Sequence, residues 1–370
     1  MKVPAKKEPI PIGVSSPKSV RAAHIQRSKQ DARAAGLNYV TPTEPGITRR
    51  RAGNGFVYRY PDGRVVKDAP TLARIRALAI PPAWESVWIC TRETGHLQAT
   101  GRDAKLRTQY RYHVAYRDAR DFNKFNRMIA FGAVLPRIRR TVTRDLARPD
   151  LSKRKLMAMV VRLLDRTCFR VGNNEYARKN DSYGLTTLKD EHVEIDGPQI
   201  HFHFRAKSGV EQDVSLTDSR LAPLLKESRD IDGEDLLQYL DEDGMRHPVQ
   251  AAEVNDYLRA AAGQNVTAKD FRTWHGTVQM LMELSEAGPA TSATDAKRRL
   301  SSAVKATAKR LGNRPATCRG YYIHPEVIES YMSSKLFKAL EQAGPQRTFR
   351  GCEAALLTLV SKVHKPRLAA

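Results

Sequence analysis

The sequence predicts an α+β chain: a small, mainly antiparallel β N-terminal domain, then a larger, mainly α domain that carries a small three-stranded sheet. Two changes of period and one internal run predict it. Alternation dominates from Gly55 to Tyr112, a three- and four-residue step takes over from Asp121, and three short alternating runs between His192 and Leu216 interrupt the helical stretch. The domain boundaries that follow are 1–50 for a basic, flexible arm, 51–117 for the β-rich domain and 118–370 for the helical one.

The arm is read from charge. Residues 1–50 hold ten Lys and Arg against three acids, and the first twenty are rich in Pro, Ser and Lys. Phe56-Val57-Tyr58-Arg59-Tyr60 then alternates, Asp62-Gly63 marks a hairpin turn, and Val65-Val66 resumes. Val87–Cys90 and His96–Ala99 read as two more strands. In the second domain Phe122, Phe125, Ile129, Leu135, Ile138, Val142 and Leu146 lie on one helical face, which Pro136 kinks or divides. Leu156–Phe169 is a second helix, with Gly172 placed to stop it. His192–Gly197, Gln199–Ala206 and Val210–Leu216 form the antiparallel sheet, with Lys207-Ser208-Gly209 at a turn. Helices follow over about 251–262, 268–286, 292–311, 324–342 and 350–363. There is no internal repeat.

Composition narrows the partner. The 370 residues include 63 Lys and Arg against 40 Asp and Glu, a net charge of +23. That balance favours a polyanion, nucleic acid first and anionic membrane second. Hydrophobic residues at 41% exclude whole-chain disorder. No apolar run approaches the roughly 18 residues of a membrane span, and Met1–Pro11 has no apolar core of a secretory signal. Cys90, Cys168, Cys318 and Cys352 are far apart and make no C-x-x-C pair, which points to reduced thiols in a cytosolic compartment and away from zinc. His201 and His203 flank Phe202 with no cysteine or acid companion, and the acidic run 230–235 and 241–244 lacks EF-hand spacing. No metal is implied. There is no G-x-x-x-x-G-K-[ST] loop for ATP.

Four segments concentrate Arg, Lys and Tyr where structure should change: Asp165–Tyr176 at a helix end, Phe204–Gly209 on a hairpin, Lys269–Trp274 opening a helix, and Leu311–Pro325, which ends in two tyrosines before a helix. Singly, each has an ordinary explanation: arginines cap carbonyls, a turn lysine is solvated, a tyrosine packs. In this order the set Arg, Lys, Arg, Asn, Tyr resembles the type IB DNA topoisomerases, in particular their poxvirus-like and bacterial branch. Phe169-Arg170-Val171-Gly172 followed by Tyr176 and Gly184–Leu188 carries the resemblance, as do Cys318-Arg319-x-x-Tyr322-Ile323-His324-Pro325 and Gly101–Lys105 with Gln109–Tyr112. It runs from about Phe56 to near the C-terminus.

The resemblance implies roles. Tyr322 is the nucleophile that takes the 3′-phosphate, chosen over Tyr321 because it keeps the family's nine-residue spacing from Asn313 and precedes Ile-His-Pro; Tyr321 is expected to pack. Arg170 and Arg272 grip the non-bridging oxygens, a task for a fixed fork of donors that stays charged. Lys207 is the general acid for the leaving 5′-oxygen. Asn313 departs from the histidine common in the family; its amide donates a hydrogen bond to phosphate as a neutral imidazole does, but cannot act as a base. Gln109, Tyr110, Tyr112, Tyr176 and Lys269 are candidate DNA contacts, with one-face packing as the alternative for Tyr110 and Tyr112.

The partner is then double-stranded DNA, held by a monomer clamped around the duplex, with no cofactor, metal, nucleotide or membrane, in the bacterial cytoplasm at the nucleoid. Two other readings compete. Tyrosine site-specific recombinases share the chemistry, but they usually carry His three before the second arginine, where this chain has Lys269, and their N-terminal domains are usually helical. A non-enzymatic basic DNA-binding protein accounts for the charge but not for the ordered set.

Overall fold

The computed structural model describes residues 17–342 and 348–363. The chain divides into two compact units, Ser16–Asn126 and Arg127–Ala370. The first is built on a five-stranded antiparallel sheet. Its elements are helix α1 (Pro17–Ala34), strands β1 (Ile47–Ala52) and β2 (Gly55–Arg59), helix α2 (Ala69–Ala77), and strands β3 (Glu85–Ile89), β4 (Leu97–Arg102) and β5 (Thr108–Tyr112), in the spatial order β2-β1-β3-β4-β5. Ile47, Val66, Ile75, Val87, Ile89 and Ala99 form the core under one face. Asp68 caps α2 by accepting from Thr71 N at 3.0 Å, which turns Ile75 into that core.

Two readings of the sequence are corrected here. Within residues 17–50, expected as a flexible arm, the chain forms α1 and the start of β1 and contributes to cores. Ala32 and Leu37 pack with Tyr116, and Val40 packs with Cys90 and Leu97. The backbone of Leu37–Val40 is tied down as well: Val40 N donates to the buried His96 ring at 3.1 Å, and His96 N donates to Asn38 O at 2.8 Å. The ten cations mask this, because the buried face is only a few residues wide. Residues 1–16 lie outside the described residues. The hairpin also moves: β1 pairs with β2 around Gly53-Asn54, while Asp62-Gly63 closes a loop in which Val65 makes only a single bridge to Arg59. β1 was invisible to alternation because its middle is Thr48-Arg49-Arg50-Arg51. Arg49 earns its place by lying over the Phe56 ring at 4.1 Å and donating to Trp84 O at 2.6 Å.

Helix α3 (Val114–Leu146) begins in the first unit and continues in the second, so the division at Asn126 falls inside a helix, nine residues beyond the expected 117. Pro136 neither ends nor divides it. Helix α4 (Lys153–Thr167) is buried along Leu156–Leu164 and ends on Cys168, left-handed at φ 61°, rather than on Gly172. A short helix α5 (Asn174–Asn180) follows. The three-stranded sheet stands as read, β6 (Val193–Asp196), β7 (Gln199–Ala206) and β8 (Val210–Thr217), with β7 central and Phe202, Phe204 and Ile200 inward. Helix α6 (Leu221–Arg229) and a small hairpin, β9 (Gln238–Leu240) and β10 (Arg246–Pro248), precede the helical remainder. That comprises α7 (Ala251–Ala262), α8 (Ala268–Ala287), α9 (Ala293–Leu311), α10 (Pro315–Tyr321), α11 (Pro325–Met332), α12 (Lys335–Gln342) and α13 (Phe349–Val363). The single helix expected over 324–342 is two, broken at Ser334 with φ 58°.

Candidate active site

The five residues singled out for chemistry all lie at element ends in the second unit. Arg170 sits three residues past α4 on an extended segment. That segment is fixed by a close backbone approach: Leu185 N donates to Arg170 O at 2.9 Å and Thr186 N to Val171 O at 2.7 Å. Two glycines permit it. A Cβ on Gly184 would fall 2.7 Å from the Gly172 Cα and the Arg170 carbonyl, and Gly172 has φ +108°. The Gly-Leu-Thr-Thr run thus sets the rail that aims Arg170.

Arg272 stands on the second turn of α8 and is 4% exposed. Its Nη2 donates to Leu311 O at 2.8 Å and its Nη1 to Cys168 O, so the left-handed end of α4 and the end of α9 orient the guanidinium. Asn313 follows Gly312, whose φ of 58° ends α9; Asn313 N reaches back to Ala308 O at 2.9 Å. The Asn313 Oδ1 accepts from Arg170 Nη2 at 2.6 Å. Its Nδ2 and the Arg272 Nε are buried donors with no hydrogen-bond partner among the described residues.

Tyr322 caps the end of α10, at φ −128° and ψ −9°, and stands just ahead of α11, which starts at Pro325 as the sequence suggested. Its ring lies 5.3 Å from the Arg272 Cζ. Gly276 on α8 makes room for it: a Cβ there would come within 2.9 Å of the Tyr322 carbonyl and 3.0 Å of its Cβ. Tyr321, expected to pack, is 62% exposed. Burial pushes the Arg170 guanidinium down to about 10, Arg272 adds to that, and the Tyr322 and Tyr176 phenols oppose it. An anion beside Arg170 relieves both unfavourable effects.

Lys207 is exposed at the tip between β7 and β8, where Ser208 and Gly209 take φ 70° and 71°. Its Nζ lies 5.7 Å from the ring of Tyr176, which places the half-buried Tyr176 beside both Lys207 and the Arg170 charge. Lys269 is exposed on the first turn of α8. In the other unit Tyr110 is 49% exposed and stacks on Tyr112, with centroids 6.0 Å apart. Tyr112 itself packs between His96, Tyr116 and Arg120, and Gln109 donates to Asp103 Oδ2 at 2.9 Å. Of that trio Tyr110 offers the open ring face.

Residues 113–344 match the family described as the catalytic core of eukaryotic DNA topoisomerase I, and residues 55–103 match that of the N-terminal domain of bacterial DNA topoisomerase IB. The chain belongs to the type IB DNA topoisomerase family. DNA topoisomerase 1B of Acanthamoeba polyphaga mimivirus is 30% identical over 301 residues, 79% of this chain and 89% of its own. DNA topoisomerase 1B of vaccinia virus (strain Copenhagen) is 23% identical over 235 residues, 62% of this chain and 70% of its own. DNA topoisomerase 1 of Mycosarcoma maydis is 28% identical over 186 residues, 45% of this chain and 18% of its own.

One residue of this type IB chain escaped sequence reasoning. Thr277, wholly buried on α8, donates to Tyr322 O at 3.0 Å and accepts from His324 N at 3.2 Å. A threonine in mid-helix gives no signal by itself. Its spacing one turn beyond Thr273, on the face that carries Gly276, is the only sequence trace.

Proposed function

We propose that the chain relaxes supercoiled double-stranded DNA by nicking one strand through a 3′-phosphotyrosyl bond on Tyr322, permitting rotation and religating. The Tyr322 hydroxyl gives its proton to water as its oxygen attacks the scissile phosphorus, the bond to the 5′-oxygen breaks, and Lys207 supplies the proton that the 5′-oxygen takes up. Religation runs the same steps backwards. A phenol with a pKa near about 10 is a good leaving group for that return, and the ester keeps the energy of the broken backbone bond, so no nucleotide is consumed. Charge builds on the non-bridging oxygens in the five-coordinate state. Arg170, Arg272 and the Asn313 amide meet it with preorganised donors.

The observation that carries this reading is the pair of buried donors without partners among the described residues: Asn313 Nδ2, on the side chain that accepts from Arg170, and Arg272 Nε, on the guanidinium 5.3 Å from the Tyr322 ring. Leaving such groups unsatisfied costs about 1–3 kcal/mol each, and a phosphate repays it. The exposed position of Lys207 at the β7–β8 tip suits an acid that meets its phosphate only when DNA is bound. We further propose action as a monomer engaging the duplex with both units, in a bacterial cytoplasm; the match of 55–103 to a bacterial N-terminal domain supports that branch.

The test is plasmid relaxation in EDTA without ATP, with trapping of the cleaved complex on a labelled duplex. Tyr322→Phe is expected to abolish both relaxation and the covalent adduct at the 3′ end; relaxation by that variant overturns the reading. Lys207→Ala is expected to slow cleavage of an ordinary strand by about 100-fold or more and to cleave a 5′-thiol leaving group at near-parent rate. Equal loss on both substrates excludes Lys207 as the acid.

A further inference from the structure

A second cationic site lies on the catalytic unit, apart from the residues of the proposed chemistry. A cavity of about 1210 Å³ opens among α3, α4, the end of β8, α8, the end of α9 and the start of α13. Seven arginines line it against two carboxylates, and Arg170, Lys207, Arg272, Asn313 and Tyr322 are not among its lining. The two carboxylates, Asp165 and Glu353, are already engaged by Arg139 at the floor, at 2.8 and 2.7 Å. Four of the other arginines, Arg140, Arg166, Arg310 and Arg350, make no ion pair or hydrogen bond among the described residues and stand exposed around the opening.

A solvated basic helix face would place such residues along one element. These four come from four: α3, the last turn of α4, the last turn of α9 and the first turn of α13. Gathering uncompensated guanidiniums around one concavity is unfavourable in the absence of an anion. The wall behind them is fixed, with the buried His275 ring stacked on Phe349 at 5.2 Å and Trp274 Nε1 donating to Glu353 Oε1 at 2.8 Å. A flexible chain of a few phosphoryl groups fits within about 1210 Å³.

We propose that this cavity binds a linear polyphosphate of about three phosphoryl groups, free or carried on a nucleoside, with a charge near −4 that matches the four unpaired guanidiniums. Guanidinium forks, not a glycine-rich loop, hold the phosphates, so the missing P-loop motif does not bear on it. The inference does not depend on the catalytic reading.

Calorimetric titration of the full chain with inorganic tripolyphosphate tests it, in the presence of one equivalent of a short duplex that fills the cleavage site. Binding is expected to persist with the duplex present and to weaken by about ten-fold or more in Arg310→Gln/Arg350→Gln, while plasmid relaxation without polyphosphate stays at the parent level. Arg140→Gln/Arg166→Gln repeats the measurement from the opposite wall should the first pair fail to fold. Adenosine triphosphate binding as tightly as tripolyphosphate marks the phosphates alone as the determinant, tighter binding marks a nucleoside contact, and either supports the site. Displacement of tripolyphosphate by the one equivalent of duplex, or unchanged binding by both double variants, overturns it.

Discussion

One hydroxyl holds the backbone that presents Tyr322. Thr277 Oγ1 donates to the Tyr322 carbonyl at 3.0 Å and accepts from His324 N at 3.2 Å, while also reaching Thr273 O at 3.0 Å on its own helix. Valine has the same shape without the hydroxyl, so Thr277→Val leaves a buried N–H and a buried carbonyl unsatisfied, at about 1–3 kcal/mol. In the nucleophilic role proposed for Tyr322, a displacement of a fraction of an ångström loses in-line alignment. Thr277→Val is therefore expected to slow single-turnover adduct formation by about 10- to 100-fold with duplex affinity unchanged, and Thr277→Ser to restore it. Equal rates for the valine and parent chains would show that α8 and Gly276 alone position Tyr322. Asn313 illustrates the same economy of donors. Its Oδ1 accepts from Arg170 and its Nδ2 is left for the phosphate contact proposed above, and a neutral histidine, which also accepts on one nitrogen and donates on the other, can do both.

Helices α3, α4 and α13 are joined through charge. Arg139 binds Asp165 and Glu353, and the His275 Nε2 on α8 lies 3.4 Å from Asp165 Oδ1. Burial raises the Asp165 carboxyl, but the nearby His275 ring and the two hydrogen bonds from Arg139 outweigh it and hold the group well below the usual carboxylate range. A depressed folded-state value contributes stability that is present above the unfolded value of about 3.9 and is lost as pH falls through the folded one. Asp165→Asn is expected to cost about 3–5 kcal/mol at pH 7 by denaturant titration, and the gap to the parent to narrow below about pH 4. A gap independent of pH would mean that packing, not charge, accounts for the loss. None of this network is visible in the sequence, since its members are up to 214 positions apart. What was legible had a strong local period: β6 to β8 through alternating Ile, Phe and His, and α7, α8, α9 and α13 through their apolar steps. The misses have local causes. In β1 only Ile47 is fully buried, α5 and α10 span two turns each, and the break at Ser334 carries neither Gly nor Pro. The candidate site residues were singled out by their order and flanking motifs; Arg170, Lys207 and Asn313 lie close to glycines between elements, whereas Arg272 is buried inside α8 and has no such local mark.

At the scale of the whole molecule the net charge of +23 divides by burial. Arg272 and Arg139 are enclosed and committed to carbonyls or carboxylates, Arg170 is held by Asn313, and Lys207 and Lys269 remain at the surface with most of the other cations. Exposed cations that meet phosphates release condensed counterions, so the logarithm of duplex affinity falls linearly with that of salt, by about 0.9 per phosphate neutralised. A cation that acts on one scissile phosphate adds at most about one to that slope. Arg170→Gln is therefore expected to lower the cleavage rate by about 100-fold or more while the salt slope of duplex binding changes by about one at most. Measuring affinity across salt concentrations with parent and variant separates the two. A slope that collapsed in Arg170→Gln would place the main electrostatic grip at the reaction centre itself. A preserved slope with lost cleavage would instead assign affinity to the many exposed charges and chemistry to the few enclosed ones.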